Sequence, residues 1–148
     1  MKKIFAYLFV IVLFSCSKDD WEYHNPYLPD YAVNYHVNLD LPQFHQLNGF
    51  GAAAVYIGGE GIGINGIILV NTGVGFVAYD ATCSNHHIEN CSILSLNGLE
   101  ATCNCEHALT YLLIGGNVVP DSENSDEKYY PLKPYRVIQN GNVLVITN

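Results

Sequence analysis

The sequence has few cationic residues and little charge of any kind. Lysine and arginine together supply six of its 148 residues, against 14 aspartates and glutamates, so the net charge is −8. Binding nucleic acid or anionic lipid through charge needs clustered cations, and the composition argues against both. The chain is nevertheless 49% apolar, which is enough to build a core and argues against a disordered protein.

The first 15 residues have the layout of a secretory signal. Lys2 and Lys3 precede an apolar run of 11 residues, Ile4 to Phe14. That run is too short to span a bilayer, which takes ~20 residues. It ends in Leu13-Phe14-Ser15-Cys16, which resembles a lipobox. We therefore expect residues 1–15 to be a signal peptide and Cys16 to carry lipid; the alternative is an ordinary signal peptide with a chance cysteine.

A short acidic stretch follows the lipobox. Ser17-Lys18-Asp19-Asp20 resembles the tag that sends some Gram-negative lipoproteins to the cell surface. Without residues 1–15, four basic and 14 acidic residues leave a net charge of −10, so lipid rather than charge is expected to hold the protein at the membrane. We expect a lipid-anchored protein of the outer membrane of a Gram-negative bacterium, and the tag favours its outer face.

Residues 16–48 are interpreted as a tether followed by a first strand. Val33, Tyr35, Val37 and Leu39 alternate with polar residues, which is typical of a half-buried strand. His36 is then expected on the solvent face. The main domain is expected over residues 49–148.

From Gly51 onward the sequence predicts short β-strands. The pairs Asn65-Gly66, Asn97-Gly98 and Asn140-Gly141 favour two-residue hairpin turns, because both residues tolerate the positive φ of such turns. No amphipathic helix of ordinary length is predicted, so the expected fold class is all-β, an antiparallel sandwich or barrel. The acidic segment 121–128 is expected to be an exposed loop. The predicted strands cover residues 52–57, 67–70, 76–79, 93–96, 99–102, 109–114, 135–138 and 143–147.

One glycine motif is similar to that of a nucleotide-binding site. Gly61, Gly63 and Gly66 have the spacing of a dinucleotide-binding loop. That loop works only where the glycines open a helix, whereas Ile67 to Val70 is typical of a strand. We therefore expect close backbone packing and turns here, and no nucleotide.

Cysteine and histidine gather in the middle of the domain. Four cysteines in an exported domain favour two disulfides, with three connectivities open. Clustered cysteine and histidine also suit a metal, although the spacing fits no trusted zinc motif. The residues are Cys83, Cys91, Cys103 and Cys105, with His86, His87 and His107 close by.

Several segments in this order resemble the Rieske family over residues 50–148. They comprise the entry strands and first cluster loop (66–70 and 75–83), the start of the second loop (Cys103-Asn104-Cys105), the strand and turn after it (111–118) and the closing strands (131–137 and 141–146). The resemblance implies an antiparallel Rieske-like sandwich or barrel with a small subdomain made of two loops.

The departures from the family pattern bear on the cofactor. A Rieske cluster takes Cys-x-His from one loop and Cys-x-x-His from the other, but Asn85 and Glu106 stand at the histidine positions. His86 and His107 each come one residue late. No cofactor or metal is therefore expected; the alternative is a [2Fe–2S] cluster held by Cys83, His86, Cys103 and His107.

The resemblance also implies a disulfide pairing. Cys91 and Cys105 resemble the additional pair that joins the two loops in some family members. Cys83 and Cys103 would then face each other and form a second disulfide. The signal has no arginine pair, so export of a folded, cluster-loaded domain is not expected.

The expected function is that of a binding or structural subunit in a membrane or cell-surface assembly, with a protein partner in the envelope. The alternative is an electron-transfer protein that carries a Rieske-type [2Fe–2S] cluster. Enzymatic activity is not expected. Asp80 and Glu106 could be considered a carboxylate pair, but the sequence gives no distance between them. A Cys–His nucleophile needs a free thiol, and the two expected disulfides would leave none.

Overall fold

The structure, a computed structural model, describes residues 23–49, 51–120 and 128–148. Cys16, the acidic tag at 17–20 and residues 121–127 of the predicted acidic loop lie outside these ranges. Within them, ten strands form two antiparallel sheets, and the chain has one short 3₁₀-helix. No helix in this part of the chain is long and apolar enough to cross a membrane.

The larger sheet has six strands in the order β1-β10-β9-β4-β3-β2. β1 (Asn34–Asn38) pairs with β10 along its whole length, so the strand that the sequence placed after the tether belongs to the main sheet. His36 is exposed, as predicted. The other five strands are β2 (Ala53–Ile57), β3 (Ile67–Asn71), β4 (Phe76–Asp80), β9 (Pro134–Asn140) and β10 (Val143–Thr147).

The smaller sheet has four strands in the order β5-β6-β7-β8. They are β5 (Leu94–Asn97), β6 (Glu100–Cys103), β7 (Thr110–Leu112) and β8 (Asn117–Val118). Two connections at this sheet carry Cys83, Cys91 and Cys105, and Cys103 is the last residue of β6. Loop one is residues 81–93, between β4 and β5, and loop two is residues 104–109, between β6 and β7.

Strand β3 joins the cores of the two sheets. Side chains alternate between the faces of a strand, and all five residues of β3 are buried. Ile67 and Leu69 pack in one hydrophobic cluster with β1 and β10, whereas Ile68 and Val70 pack in a second cluster with the smaller sheet. The chain is all-β with a small subdomain that bears two loops, as predicted.

One local prediction is wrong, and one short helix was not predicted. Asn65-Gly66 does not form a two-residue hairpin, because residues 58–66 separate β2 from β3. Gly66 has φ +102°, and a Cβ there would stand 2.7 Å from the Ile57 carbonyl oxygen. A 3₁₀-helix over Pro42–Asn48 was not predicted; it buries Phe44 and Leu47, three residues apart.

The other two Asn-Gly pairs do mark hairpins. β5 and β6 are joined across Gly98-Leu99, and β9 and β10 across Gly141-Asn142. Both glycines have φ +61°, the left-handed conformation that glycine adopts without strain. Each turn therefore begins one residue later than the predicted asparagine.

Candidate functional site

Loop one and the end of β6 bring two thiols and an imidazole together. Cys83 follows β4 and Cys103 ends β6, and both are buried in the core of the smaller sheet. The two sulfurs and one ring nitrogen of His86 all lie within 4.8 Å of one another. In the part of the chain that the structure describes, no further cysteine, histidine or carboxylate joins this group.

The Tyr111 hydroxyl is the centre of a hydrogen-bond network that reaches the Cys83 sulfur. It lies 3.3 Å from Cys83 Sγ. It accepts hydrogen bonds from the Ser84 backbone N–H at 3.2 Å and from Asn85 Nδ2 at 2.8 Å. Because those two donors occupy its acceptor positions, the hydroxyl has its one proton left to donate. The Tyr111 O–H therefore donates to the Cys83 sulfur.

His86 meets the other thiol through a defined ring nitrogen. Its Nδ1 lies 2.7 Å from the His87 backbone carbonyl oxygen. Because a carbonyl only accepts, Nδ1 carries a proton. Nε2 lies 3.2 Å from Cys103 Sγ; in the neutral ring this nitrogen is the acceptor, and the Cys103 S–H donates to it.

Asn85 stands where the Rieske resemblance requires a histidine, but its side chain has other partners. The Tyr130 backbone N–H donates to Asn85 Oδ1 at 2.7 Å, which fixes the orientation of the amide. Asn85 Nδ2 then donates to the Tyr130 carbonyl oxygen at 2.9 Å and to Tyr111. The amide clamps loop one to the segment that leads into β9, so it is not available as a ligand.

Burial favours the neutral form of the Cys103 thiol. Burial and the neighbouring Cys83 together raise its pKa to about 11, against the lowering effect of the Cys105 backbone N–H. Burial likewise raises the pKa of the Tyr111 hydroxyl. At neutral pH Cys103 is therefore a protonated thiol, consistent with its hydrogen bond to His86.

The structure contains the predicted Cys91–Cys105 disulfide and lacks the predicted Cys83–Cys103 disulfide. Cys91 and Cys105 are bonded, with Cα atoms 5.0 Å apart, so loop one is joined covalently to loop two. Cys83 and Cys103 are separate buried thiols. Each sulfur has a hydrogen-bond partner instead of a bond to the other, Tyr111 for Cys83 and His86 for Cys103.

The four proposed cluster ligands do not converge. Cys83, His86 and Cys103 come together, whereas His107 is exposed and outside the group. Glu106, which stands at the family's second histidine position, is exposed as well. A Rieske cluster needs two imidazoles on one iron, and this site offers one. The residues present do not fit that cofactor.

Asp80 is buried in a network of its own. Its carboxylate accepts from the Tyr135 hydroxyl at 2.6 Å, the Ile64 backbone N–H at 2.7 Å and the Thr82 hydroxyl. These bonds tie the glycine-rich loop to β4 and β9, as expected for glycines that serve packing. Glu106 is on the surface, so the two acids share no buried network.

The site also has partners that the sequence did not indicate. Asn25 is buried and donates through Nδ2 to the Ser84 carbonyl oxygen at 2.8 Å. The ring of Tyr27 meets those of His87 and Tyr130 edge to face, at 5.3 and 6.0 Å. The segment read as a tether thus packs over loop one from Tyr23 onward. Because these contacts join residues far apart in sequence, no local pattern reveals them.

Comparison with known proteins gives limited information. No protein-family model matches the sequence, and no curated protein matches it either. Among solved structures, a chain from the complex of reduced oxygenase and oxidized ferredoxin in carbazole 1,9a-dioxygenase is similar. It is 17% identical, with a TM-score of 0.43, over 70% of this chain and 85% of that one. A similarity this weak supports no conclusion about function.

Proposed function

We propose that the chain is a lipid-anchored, Rieske-like domain of the outer membrane that lacks the two-iron cluster and acts as a binding or structural subunit of an envelope assembly. The observation that carries the proposal is the incomplete ligand set. Asn85 bonds to Tyr130 and His107 lies outside the group of the two thiols and His86, so one imidazole remains where a Rieske cluster needs two.

Loop one is held by bonds that do not depend on a cluster. The Cys91–Cys105 disulfide joins it to loop two, and Asn85 joins it to Tyr130. Asn25 holds it from the N-terminal side. These three connections hold the subdomain in one conformation without iron, and a binding module needs such a fixed surface.

The lipid anchor fixes the end of the domain that stays near the membrane. The Tyr23 hydroxyl donates to the Pro131 carbonyl oxygen at 2.8 Å, and Asn25 binds loop one. Seven peptide units separate Cys16 from Tyr23, and a fully extended chain of that length spans at most about 25 Å. The subdomain with the two loops therefore stays close to the lipid surface, where a membrane-associated partner is within reach.

The same subdomain presents apolar side chains to solvent. Ile88 and Ile93 of loop one are 42% and 40% exposed. Leu112, Ile114 and Val119, in and around β7 and β8, are 44%, 49% and 43% exposed. We take these five side chains as the candidate contacts of the protein partner, because an apolar protein-binding surface is built from exposed side chains of this kind.

The cofactor part of the proposal is tested on the full chain extracted from its native membrane. Iron and acid-labile sulfide are measured in the wild type and in the Cys83→Ser/Cys103→Ser variant, which removes both thiols. We expect equal background levels in the two proteins and no visible cluster band. Two irons and two sulfides per wild-type chain, lost in the variant, would establish the electron-transfer alternative.

The assembly part is tested by the size of the detergent-extracted protein. We expect the wild type to migrate in a complex larger than the monomer and Ile88→Asp/Ile93→Asp to migrate as the monomer. A change of the exposed Val74, on the turn between β3 and β4, to aspartate is the control and should leave the complex intact. A monomeric wild type in mild detergent would contradict a subunit role.

A further inference from the structure

We propose that Cys83, Cys103 and His86 bind a single zinc ion. This inference goes beyond the proposed function, because a cluster-free binding module does not require a metal. The three donor atoms lie within 4.8 Å of one another, with His86 Nε2 3.2 Å from Cys103 Sγ. In a tetrahedral zinc site, sulfur and nitrogen ligands stand about 3.5–3.8 Å apart, given zinc bonds of ~2.3 and ~2.0 Å. Small movements of the His86 ring and the two sulfurs therefore suffice to admit the ion.

The imidazole is already in the form that a metal requires. A histidine ligand is neutral, and its second ring nitrogen usually donates to a carbonyl or carboxylate, which fixes the ring. The His87 carbonyl oxygen accepts from His86 Nδ1 at 2.7 Å. Nε2, the nitrogen with the free electron pair, is the one that faces the thiols.

Both sulfurs have donors placed as a bound thiolate requires. The Tyr111 O–H donates to Cys83 Sγ, because its acceptor positions are used by Ser84 and Asn85. The Cys105 backbone N–H donates to the Cys103 sulfur. A thiolate accepts such hydrogen bonds more strongly than a thiol does. The surroundings of the donors thus suit the ionised, metal-bound form.

The charge balance selects zinc among the ions that thiolates prefer. Thiolate ligands favour Zn²⁺ and Cu⁺ over harder ions. Zn²⁺ with two thiolates and a neutral imidazole gives a site of zero net charge, whereas Cu⁺ leaves one negative charge in a buried place, which is costly. Three protein donors leave the fourth tetrahedral position to water or an external ligand.

The test uses the full chain, extracted from the membrane in detergent with its thiols kept reduced and then stripped with a chelator. Zn²⁺ is titrated against a chromophoric chelator, and Co²⁺ is the spectroscopic probe of thiolate coordination. The ligand variants are Cys83→Ser, Cys103→Ser and His86→Ala. The matched controls are His36→Ala and His107→Ala, which alter exposed histidines outside the group. A urea midpoint is measured for every variant to show that it is folded.

We expect one Zn²⁺ per chain and sulfur-to-cobalt charge-transfer bands in the wild type and both controls. His86→Ala leaves both buried thiols in place and should weaken zinc binding at least about 100-fold, the upper end of what loss of an outer-shell partner costs. Unchanged affinity in folded His86→Ala, or equal loss in the controls, would overturn the assignment. So would a reduced wild type that binds no zinc in the titration, or a Cys83–Cys103 disulfide in membrane-extracted protein. A negative zinc result leaves the cluster-free module standing, whereas two irons and two sulfides per chain would overturn both.

Discussion

Removal of the Cys91–Cys105 disulfide should destabilise the domain by an amount set by the loop it closes. The two cysteines are 14 residues apart in sequence. In the chain-entropy model, a loop of about 15 residues contributes about 3 kcal/mol at 25 °C by restricting the unfolded chain. Both residues are half-buried, so Cys91→Ser/Cys105→Ser loses little packing, and the loop term should dominate.

Urea unfolding at 25 °C measures this loss. With a urea slope of about 1–3 kcal/mol per molar for a domain of this size, the midpoint of the double variant should fall by about 1–3 M. Wild type in reductant should unfold like the variant, whereas the variant should not respond to reductant. A further shift of the variant in reductant would show that Cys83 and Cys103 do form a disulfide. An unchanged midpoint in the variant would refute the reasoning about the loop.

Three further perturbations test other parts of the molecule. Asn85→Ala should lower the free energy of unfolding by about 2–3 kcal/mol, since it removes three hydrogen bonds worth about 1 kcal/mol each. A loss below about 0.5 kcal/mol in urea unfolding would show that Asn85 does not hold loop one. The Lys133 hydrogen bond lowers the pKa of Asp30 below 3.8, so Asp30→Asn should destabilise the fold at pH 7. The loss should be less than about 1 kcal/mol, because this acid is largely exposed. That difference should disappear as the pH falls through the folded pKa, because protonation then breaks the pair in the wild type too; a difference that does not decrease as the pH is lowered below 3.8 would contradict it. Cys16→Ala should block processing or release the protein from membranes, whereas Ser17→Ala should not, as fractionation and lipid labelling would show; normal anchoring of Cys16→Ala would exclude the lipoprotein assignment.

Most strands were predictable because they carry their own signal. Apolar alternation marks β1, β-branched runs mark β3 and β10, and two aromatic residues with a valine mark β4. The two-residue strand β8 was not predicted, because it is too short to show a period. The 3₁₀-helix over Pro42–Asn48 was missed because two buried side chains three residues apart are too few to define a helical period. The path of residues 23–30 was missed for a different reason. It depends on contacts such as Tyr23 with Pro131, 108 residues away in sequence, and no local pattern contains that information.

Of the candidate site, the sequence indicated the residue types and the loops but not which side chains converge. A histidine one residue late can still reach the thiols if the loop has room for the extra residue. Loop one has that room. The Cys83 N–H bonds to the Ser92 carbonyl oxygen at its base, which leaves eight residues between them. Among these, His86 reaches the Cys103 sulfur while Asn85 bonds to Tyr130. Loop two is held more tightly.

In loop two, the Cys103 N–H bonds to the Leu109 carbonyl oxygen at 2.8 Å, and the Ala108 N–H bonds to the Cys105 carbonyl oxygen at 2.9 Å. Ala108 has φ +39°, a conformation that non-glycine residues rarely adopt, and the disulfide fixes Cys105. A loop closed this tightly leaves His107 on its outer surface. The same one-residue shift therefore has opposite outcomes in the two loops. The result is a site with two thiols and one imidazole, which is one donor short of a Rieske centre and suited to a single ion.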